Sequence, residues 1–293
     1  MSHKAGFVNI IGRPNVGKST LMNAWVGERL SIITSKAQTT RHRIFGIVNG
    51  EDFQMVISDS PGFIRDPKYK LQETMNRYVN TAFADADVVV FMSEVGEKIL
   101  DDDELVQKAR SVKVPLLVLA NKCDLHEPEK VLEHLKLLST LFPDSETFPV
   151  SALANDNIEE VFRKILELLP KHPPFYPKDA LTDKPERFFV TEKIREKILQ
   201  NYRQEIPYSV EVVVDSFKED EDIIRMRAEI YVSRQSQKFI IIGKGGAAIK
   251  KVGMAARKDL EVFFDKKIYL ELFVKVRENW RDRESDLRRF GYE

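Results

Sequence analysis

The sequence contains one cysteine, Cys123, and no long apolar run, and each of these shortages excludes a structural feature. A single cysteine permits no intramolecular disulfide. No apolar stretch approaches the roughly 18–20 residues that a membrane-spanning helix needs. No secretory signal is recognisable either, because a strand-like segment already begins at Phe7. Together these shortages predict a cytoplasmic protein.

The chain also lacks net charge, since 46 Lys and Arg residues balance 46 Asp and Glu residues. Its overall charge therefore does not predict nucleic-acid binding. The balance is uneven along the chain, however: residues 1–175 carry 21 basic and 24 acidic residues, and residues 176–293 carry 25 and 22. Residues 233–258 contain seven basic residues and no acidic one. This stretch predicts a local basic surface in the second half.

A length of 293 residues and 43% hydrophobic residues predict either one large domain or two of ordinary size. Four prolines lie within the nine residues 169–177 and predict a stiff, extended linker. We therefore expect a first domain over residues 1–170, a proline-rich linker over 171–185 and a second domain over 186–293.

The segment from Gly12 to Ser19 matches a phosphate-binding loop: a Gly, four residues, then Gly-Lys-Ser. It follows a predicted buried strand, residues 7–11, and precedes a predicted helix that begins at Thr20. Glycines allow successive backbone N–H groups to point inward around phosphate oxygens, and the helix N-terminus adds a partial positive charge. Lys18 would reach the outer phosphates, and the Ser19 hydroxyl would bind Mg²⁺.

The rest of the first half alternates predicted strands with predicted helices, which indicates an α/β fold with a mostly parallel sheet and helices on both faces. Asn49-Gly50 predicts a hairpin, and hence one antiparallel strand at the edge of that sheet. The second hairpin strand ends in Asp59-Ser60-Pro61-Gly62, on the rim where α/β sheets bind ligands. Asp59 could hold Mg²⁺ through a water molecule, and the N–H of Gly62 could contact the terminal phosphate.

A later buried strand ends in Asn121-Lys122-Cys123-Asp124, which changes the prediction from a phosphate binder to a guanine binder. The Asp124 carboxylate can accept hydrogen bonds from N1–H and the exocyclic amine of guanine. Adenine presents neither donor there, so the wrong base would leave buried groups unpaired. Residues 151–153, Ser-Ala-Leu, follow the last strand and could offer backbone N–H groups to the guanine oxygen.

These motifs, in this order and each at a strand end, resemble the GTP-binding proteins of the translation-factor class. The resemblance implies an α/β P-loop GTPase domain that binds GTP or GDP with Mg²⁺, the metal being held by Ser19, Thr40 and Asp59. It implies catalytic roles for Lys18, Thr40 and Asn15. The implied nucleotide-binding residues are Gly12, Arg13, Pro14, Asn15, Val16, Gly17, Lys18, Ser19, Thr20, Asp59, Ser60, Pro61, Gly62, Phe63, Asn121, Lys122, Cys123, Asp124, Ser151, Ala152 and Leu153.

Many GTPases carry a Gln directly after Asp-x-x-Gly, where it orients the attacking water. Phe63 occupies that position here and cannot hydrogen-bond to water. One candidate for positioning the water is the backbone of the loop near Thr40. A bound monovalent cation is the other, because the glycine-loop sequence resembles a subfamily in which the Asn corresponding to Asn15 can bind K⁺. We expect slow unassisted hydrolysis. A protein whose nucleotide is mainly structural, with little turnover, is the alternative.

The second half predicts the element order helix, strand, strand, helix, helix, strand, with Gly243-Lys244-Gly245-Gly246 between the two consecutive helices. This pattern resembles a type II KH domain, in which glycines let the backbone of single-stranded RNA approach closely. We expect Ile240–Ile242 to line an apolar groove for bases and residues 278–292 to form a terminal helix that packs on the domain. The implied RNA-binding residues are Ile242, Gly243, Lys244, Gly245, Gly246, Lys250, Lys251 and Arg257.

Residues 5 to 290 together resemble a family of bacterial GTPases that carry a C-terminal KH domain. The resemblance implies a monomer that binds a single-stranded segment near the 3′ end of 16S ribosomal RNA and assists small-subunit maturation. It also implies peripheral contact with the inner membrane. Two further alternatives are an ATPase, which Asp124 argues against, and a GTPase whose second domain binds protein instead of RNA.

Overall fold

The computed structural model describes residues 3–34, 36 and 38–292. The chain divides into two compact units. One comprises residues up to Pro67 together with Gln72–Asp183, and the other comprises Lys68–Leu71 together with the chain from Lys184 onward. Across the described residues, no helix has both the length and the apolar character that crossing a bilayer would require.

A six-stranded sheet forms the centre of the first unit. Its strands are β1 (Lys4–Ile11), β2 (Ile44–Asn49), β3 (Phe53–Asp59), β4 (Val88–Glu94), β5 (Leu116–Asn121) and β6 (Glu146–Pro149). They lie in the order β2-β3-β1-β4-β5-β6. All neighbouring pairs are parallel except β2 and β3, which form the antiparallel hairpin that Asn49-Gly50 predicts. The predicted α/β fold is therefore confirmed.

Five helices cover this sheet because its central strands are apolar on both faces. The helices are α1 (Lys18–Val26), α2 (Lys70–Ala84), α3 (Glu104–Arg110), α4 (Pro128–Leu141) and α5 (Ile158–Leu168). On one side, β4 and β5 pack with α2, α3 and α4 around a core that includes Val89, Val118 and Leu138, each without exposed surface. A strand buried on both faces needs such a covering layer.

The parallel strands end at the same edge of the sheet, which places their C-terminal residues close together. The chain order reverses at β1, which lies between β3 and β4. Such a reversal opens a crevice at the carboxyl ends of the strands, where ligands bind in open α/β sheets. The loops that follow β1, β3, β5 and β6 carry the motifs found in the sequence.

Residues 170–183, here called the edge strap, lie along the hairpin edge of the same sheet. The buried Gln54 side chain anchors them: its Oε1 accepts the N–H of Tyr176, and its Nε2 donates to the Tyr176 carbonyl oxygen, both at 2.9 Å. Farther along, the N–H of Ile47 donates to the carbonyl oxygen of Leu181 at 2.9 Å. The strap thus pairs with an edge strand whose backbone groups would otherwise face solvent. Most of the predicted linker belongs to the first unit.

The second unit packs helices on one face of a three-stranded sheet. Its strands are β7 (Glu211–Glu219), β8 (Ile223–Val232) and β9 (Lys267–Val276), with β8 antiparallel to β7 and parallel to β9. Its helices are α6 (Glu186–Asn201), α7 (Ile206–Ser209), α8 (Gln235–Ile242), α9 (Ala247–Phe264) and α10 (Glu284–Arg289). Apart from the single turn α7, this is the element order that the sequence predicts.

The C-terminal segment packs into the second unit, but the prediction of one continuous helix over residues 278–292 is wrong. A 3-10 turn at Trp280–Asp282 is separated from α10 by Arg283, whose backbone is extended. The break lets Trp280 bury its whole side chain, with Nε1 donating to the carbonyl oxygen of Ser209 at 3.0 Å. Packing on the domain therefore overrides helical continuity in this segment.

Candidate functional site

A cavity of about 470 Å³ lies at the carboxyl edge of the six-stranded sheet. Its volume lies within the range of small-molecule sites. Thirteen residues predicted from the sequence to bind nucleotide line it, together with Thr40, a predicted metal ligand. The thirteen are Pro14, Asn15, Gly17, Lys18, Ser19, Thr20, Gly62, Asn121, Lys122, Asp124, Ser151, Ala152 and Leu153. The structure thus brings five separate motifs to one cavity.

The phosphate loop connects β1 to α1 and has a conformation that requires its second glycine. Gly17 precedes the helix with φ of 107°, in the left-handed region. A Cβ atom there would lie 2.1 Å from Nδ2 of Asn121. The Lys18 ammonium donates to the carbonyl oxygens of Gly12, at 3.1 Å, and Arg13, at 2.9 Å, and so closes the loop upon itself. The loop and the N-terminus of α1 together form an anion-binding turn.

The Lys18 side chain is a buried cation at the base of this turn. Burial lowers its pKa to about 8, while the negative charges of Asp59 and Glu97 act in the opposite direction. A desolvated ammonium is stabilised by close anionic partners. Phosphate oxygens would supply such partners, which is the role that the sequence predicts for Lys18.

Ser19, Thr40 and Asp59, the predicted metal ligands, meet beside the phosphate loop. Ser19 Oγ lies 2.7 Å from Asp59 Oδ2 and 3.0 Å from Thr40 Oγ1. The other oxygen of Asp59, Oδ1, is buried and has no hydrogen-bond partner among the residues described. Burial raises the pKa of the Asp59 carboxyl group, whereas the charge of Lys18 and the hydrogen bonds from nearby hydroxyls act to lower it. An all-oxygen set with an unsatisfied carboxylate oxygen fits Mg²⁺.

The described residues contain no group of three or more His, Cys, Asp or Glu side chains that could hold a metal ion. The Mg²⁺ set differs because it contains one carboxylate and two hydroxyls. Mg²⁺ characteristically takes one or two carboxylates and completes its shell with waters and substrate phosphates. The residues present therefore fit a metal that binds together with a nucleotide.

The base end of the cavity is organised by the buried amide of Asn121. Its Nδ2 donates to the carbonyl oxygen of Val16 at 2.7 Å, and its Oδ1 accepts the N–H of Ala152 at 2.9 Å. One side chain thereby ties the phosphate loop, the end of β5 and the loop after β6 together. Asp124 lies in a 3-10 turn on the cavity wall, where its carboxylate is exposed. This placement matches its predicted contact with the guanine edge.

Other predicted residues support the cavity from outside its wall. The Phe63 side chain packs into the apolar core, and its N–H donates to the carbonyl oxygen of Gly12 at 3.2 Å. Ser60 Oγ donates to the carbonyl oxygen of Ile10, and Cys123 Sγ to that of Ala120. The supporting positions are Gly12, Arg13, Val16, Asp59, Ser60, Pro61, Phe63 and Cys123. Binding roles for the individual residues stay predictions.

Glu94 lines the cavity and was missed by the sequence analysis. It is the last residue of β4, and its Oε2 accepts a hydrogen bond from Lys122 Nζ at 2.5 Å. The signal was available: Glu94 ends a buried apolar strand at the same sheet edge as the other motifs. Loop residues 32–34, 38 and 39 also form part of the wall.

The glycine turn of the second unit joins α8 to α9 in a conformation that only glycine adopts readily. Gly243, Gly245 and Gly246 have φ of 71°, 58° and 80°. The exposed Lys244 lies within this turn, and Lys250, Lys251 and Arg257 are exposed along α9. The predicted basic surface therefore lies on one turn and the helix that follows it.

A crevice of about 300 Å³ separates α9 from β9. Lys250 and Arg257 contribute its charge, and apolar side chains such as Leu270 and Leu272 contribute its floor. The expectation that Ile240–Ile242 line an apolar groove is wrong for its central residue. Ile241 is fully buried in the core because helical periodicity turns it inward, while Ile240 is half exposed.

Comparison with family models identifies both units. Residues 7–122 match the model described as a 50S ribosome-binding GTPase. Residues 205–281 match the KH domain model. The first match covers most of β1, continues through β5 and includes the phosphate motif and the first two residues of the guanine motif. The second match covers the glycine turn and the crevice.

Full-length relatives extend these matches over the whole chain. GTPase Era of Staphylococcus epidermidis is 42% identical over 292 residues, which is 99% of this chain and 97% of the relative. The crystal structure of an Aquifex aeolicus Era variant bound to GDP·AlF4⁻ superposes with a TM-score of 0.94 at 36% identity, covering 99% of both chains. A structure of Era with MgGDPNP and nucleotides 1506–1542 of 16S ribosomal RNA gives the same TM-score, identity and coverage. The chain therefore belongs to the Era family of GTPases.

Proposed function

We propose that the protein hydrolyses GTP in the cavity of its first unit and binds single-stranded ribosomal RNA through the glycine turn of its second, as a small-subunit assembly factor. The observation that carries the first part is the convergence of Lys18, Thr40 and Asp124 on one cavity, beside which the buried Asp59 carboxylate accepts a hydrogen bond from Ser19. The second part is supported by the KH match and by the relative that was crystallised with 16S ribosomal RNA.

Base selection would fall to the loops after β5 and β6. The Asp124 carboxylate would accept hydrogen bonds from N1–H and the amine of guanine. The N–H groups of Ser151 and Ala152 already donate to Asp156 and Asn121, so the N–H of Leu153 would face the guanine oxygen. Asn121 holds these loops and the phosphate loop in register through its bonds to Val16 and Ala152. Buried polar pairing of this type rejects adenine strongly because the donors would be missing.

The phosphates would bind the loop from Gly12 to Ser19, with Lys18 at the outer phosphates. Ser19, Thr40 and Asp59 would hold Mg²⁺, which supplies charge neutralisation at the phosphates when it is bound. Ser19 and Asp59 would stabilise charge, and the loop backbone near Thr40 is one candidate for orienting the attacking water. A separate device for positioning the attacking water is needed because Phe63 is packed in the core.

Asn15 is our candidate for that device, through a bound K⁺. Its backbone is left-handed, with φ of 68°, at the tip of the phosphate loop, and its side chain lines the cavity. We expect unassisted turnover on the order of 10⁻²–10⁻⁴ s⁻¹, as in other GTPases that lack an activating partner. A turnover above about 1 s⁻¹ would contradict this expectation.

In the second unit, Ile242, the turn Gly243–Gly246 and the cations Lys250, Lys251 and Arg257 would hold the RNA. The glycines allow close approach of the RNA backbone, and the crevice beside α9 offers an apolar floor for bases. We further propose that the protein binds near the 3′ end of 16S RNA and takes part in small-subunit maturation. The proposal also includes peripheral contact with the inner membrane and a monomeric state.

The deciding experiment measures GTP turnover with and without a single-stranded 16S 3′ fragment, in sodium and in potassium. We expect multiple turnovers, stimulation by potassium and a further change when RNA is added. Asn15→Ala should remove the potassium effect while leaving GDP binding in place. Failure to detect more than a single turnover under any of these conditions would favour a structural nucleotide.

We also propose that the nucleotide controls the grip on RNA. Loops around Thr40 and Phe63 would be ordered by GTP and released by hydrolysis, as in other GTPase switches. The measurement is RNA affinity with GDP and with a non-hydrolysable GTP analogue. Equal affinities in the two complexes would exclude coupling.

A further inference from the structure

The side chain of Arg13 leaves the phosphate loop and binds the turn between β4 and α3, residues 94–103, here called the bridge turn. Its Nη1 lies 3.2 Å from Oε1 of Glu97 and donates to the carbonyl oxygen of Lys98 at 3.0 Å. Its Nη2 pairs with Oδ2 of Asp103. One guanidinium thus satisfies three acceptors on the bridge turn. This leaves the Arg13 backbone at the phosphate loop, where its carbonyl oxygen accepts from Lys18.

Two carboxylates of the bridge turn are fixed on both of their oxygens. Glu97 Oε2 accepts the N–H of Glu94 at 3.1 Å while Oε1 faces Arg13. Asp103 Oδ1 caps α3 by accepting the N–H of Leu105 at 3.0 Å while Oδ2 faces Arg13. Only 14% of the Glu97 side chain and 7% of the Asp103 side chain is exposed. Ion pairs that are shielded and hydrogen-bonded in this way hold position far better than surface pairs.

The opposite end of the bridge turn contacts the guanine motif. Glu94 begins the turn, and its carboxylate holds Lys122 Nζ at 2.5 Å. Lys122 needs this support because its backbone has φ of 66°, a left-handed conformation that is unfavourable for lysine. The N–H of Val95 also donates to the carbonyl oxygen of Asn121 at 3.1 Å. The bridge turn is thus bound both to the guanine motif and to the phosphate loop.

We propose that Glu97 and Glu94 are positioning residues for GTP binding, joined through the bridge turn so that the phosphate loop and the guanine motif are held in register. Glu97 acts on phosphate affinity through Arg13, and Glu94 acts on base affinity through Lys122. This inference rests on the proposed nucleotide site and adds a second connection beside Asn121. It assigns function to a turn that none of the nucleotide motifs includes.

The test uses Glu97→Gln, which keeps the shape of the side chain and removes its negative charge opposite Arg13. We expect faster dissociation of GDP, a KM for GTP raised about fivefold and a kcat within about twofold of the parent value. This is the pattern for the loss of an ion pair that stabilises the bound substrate and the transition state equally. The affinity for guanosine, which has no phosphates, should fall much less than the affinity for GDP. Glu94→Gln should instead weaken both GDP and guanosine.

The matched control is Asp101→Asn, a carboxylate of the same turn that pairs with Arg110 of α3 and is 74% exposed. It should leave KM and dissociation rates unchanged. In a double-mutant cycle, Glu94→Gln and Glu97→Gln should be non-additive for GDP dissociation, because each loosens the same turn. Strict additivity would overturn the proposed connection.

Two further outcomes separate this inference from the site on which it rests. If Asp124→Ala retains guanine selectivity and Lys18→Ala retains GDP affinity, the proposed nucleotide site is wrong. If those variants lose binding but Glu97→Gln leaves KM unchanged, the site stands and the positioning role is wrong. The positioning role would also be contradicted if Glu97→Gln lowered the melting temperature but changed kcat and KM no more than Asp101→Asn does.

Discussion

At the scale of single residues, burial sets the charge state of Lys18. Its pKa, lowered to about 8 by burial, belongs to the protein without nucleotide. Bound phosphates would raise that pKa, so the complex would hold the proton more tightly than the free protein. By linkage, nucleotide affinity is then insensitive to pH below about 8 and falls as pH rises above it.

We therefore predict that the Kd for GDP rises above pH 8, by up to about tenfold per pH unit. Fluorescence titration with GDP between about pH 7 and pH 9 measures this effect. Guanosine is the control because it carries no phosphate and should show a weaker dependence. An unchanged Kd for GDP over the whole range would contradict a lowered pKa for Lys18.

His134 of α4 supplies a second prediction from a single residue. Its ring is buried, with Nε2 at 2.9 Å from Ser93 Oγ, and burial lowers its pKa, assisted by the charge of His126. The unfolded chain, with an ordinary histidine pKa of about 6.5, takes up the proton first as pH falls. Titration of His134 should therefore leave the free energy of unfolding unchanged above about pH 6.5. Below that pH, the free energy of unfolding should decrease.

The variant His134→Gln retains a polar group that can reach Ser93 and loses the titration. Denaturant unfolding at pH 7 and pH 5 should show a smaller loss of stability in the variant than in the parent chain. His172, an exposed histidine of the edge strap, provides the control through His172→Gln. Parallel pH profiles for the parent chain and His134→Gln would contradict the assignment.

At the scale of structural elements, the edge strap shows that a proline-rich segment can be part of a domain. Its prolines predict a stiff, extended linker, whereas the segment bends, makes a turn from Pro177 to Ala180 and pairs with an exposed sheet edge. The decisive residue is Gln54, because its amide satisfies backbone groups of the strap at Phe175 and Tyr176. Gln54 belongs to β3, far from the strap in sequence, and only the fold brings the two together.

Gln54→Ala should therefore detach the strap, because buried donors and acceptors would lose their partners. We expect the free energy of unfolding of the first unit to fall by about 2–4 kcal/mol, from two or more unsatisfied groups. Limited proteolysis should cut within residues 170–183 faster than in the parent chain. Gln107→Ala, at an exposed glutamine of α3, should change neither result. An uncut strap in Gln54→Ala would show that β2 alone retains it.

At the scale of the whole molecule, the net charge of zero is an average over local surfaces that carry different charges. Residues 233–258, which include the glycine turn and most of α9, carry seven basic residues and no acidic one, and they form the surface that we propose for RNA. Contacts of Lys and Arg with phosphate release counterions, so RNA affinity should fall steeply with salt. Neutral composition does not prevent such binding, because the charge is local.

We predict that Lys244→Ala weakens binding of a single-stranded 16S 3′ fragment and reduces the slope of log affinity against log salt by about 0.7, the value for one lost phosphate contact on a single strand. Filter binding at several potassium chloride concentrations measures that slope. Lys218→Ala, at an exposed lysine of β7, is the matched control and should leave the slope unchanged. Equal slopes for Lys244→Ala and the parent chain would remove Lys244 from the RNA surface.

Local chemistry in the sequence determined much of this protein. The phosphate loop, Asn49-Gly50, the buried runs at β4 and β5 and the glycine turn each specify a backbone conformation through neighbouring residues. Because parallel strands end at a common edge, motifs at strand ends also predicted which loops would share the cavity. The element order of both units followed from the same periodic patterns.

Tertiary structure alone decided the contacts between residues distant in sequence. Three features depend on side chains that meet only after the sheets have formed. They are the contact of Gln54 with the edge strap, the contact of Arg13 with the bridge turn and the break in the helix at Arg283. Ile241 faces the core and Phe63 leaves the cavity wall because burying apolar surface outweighs the local pattern. Local propensity acts over a few residues, whereas packing acts between elements, so the sequence identified the motifs and the fold determined which side chains support them.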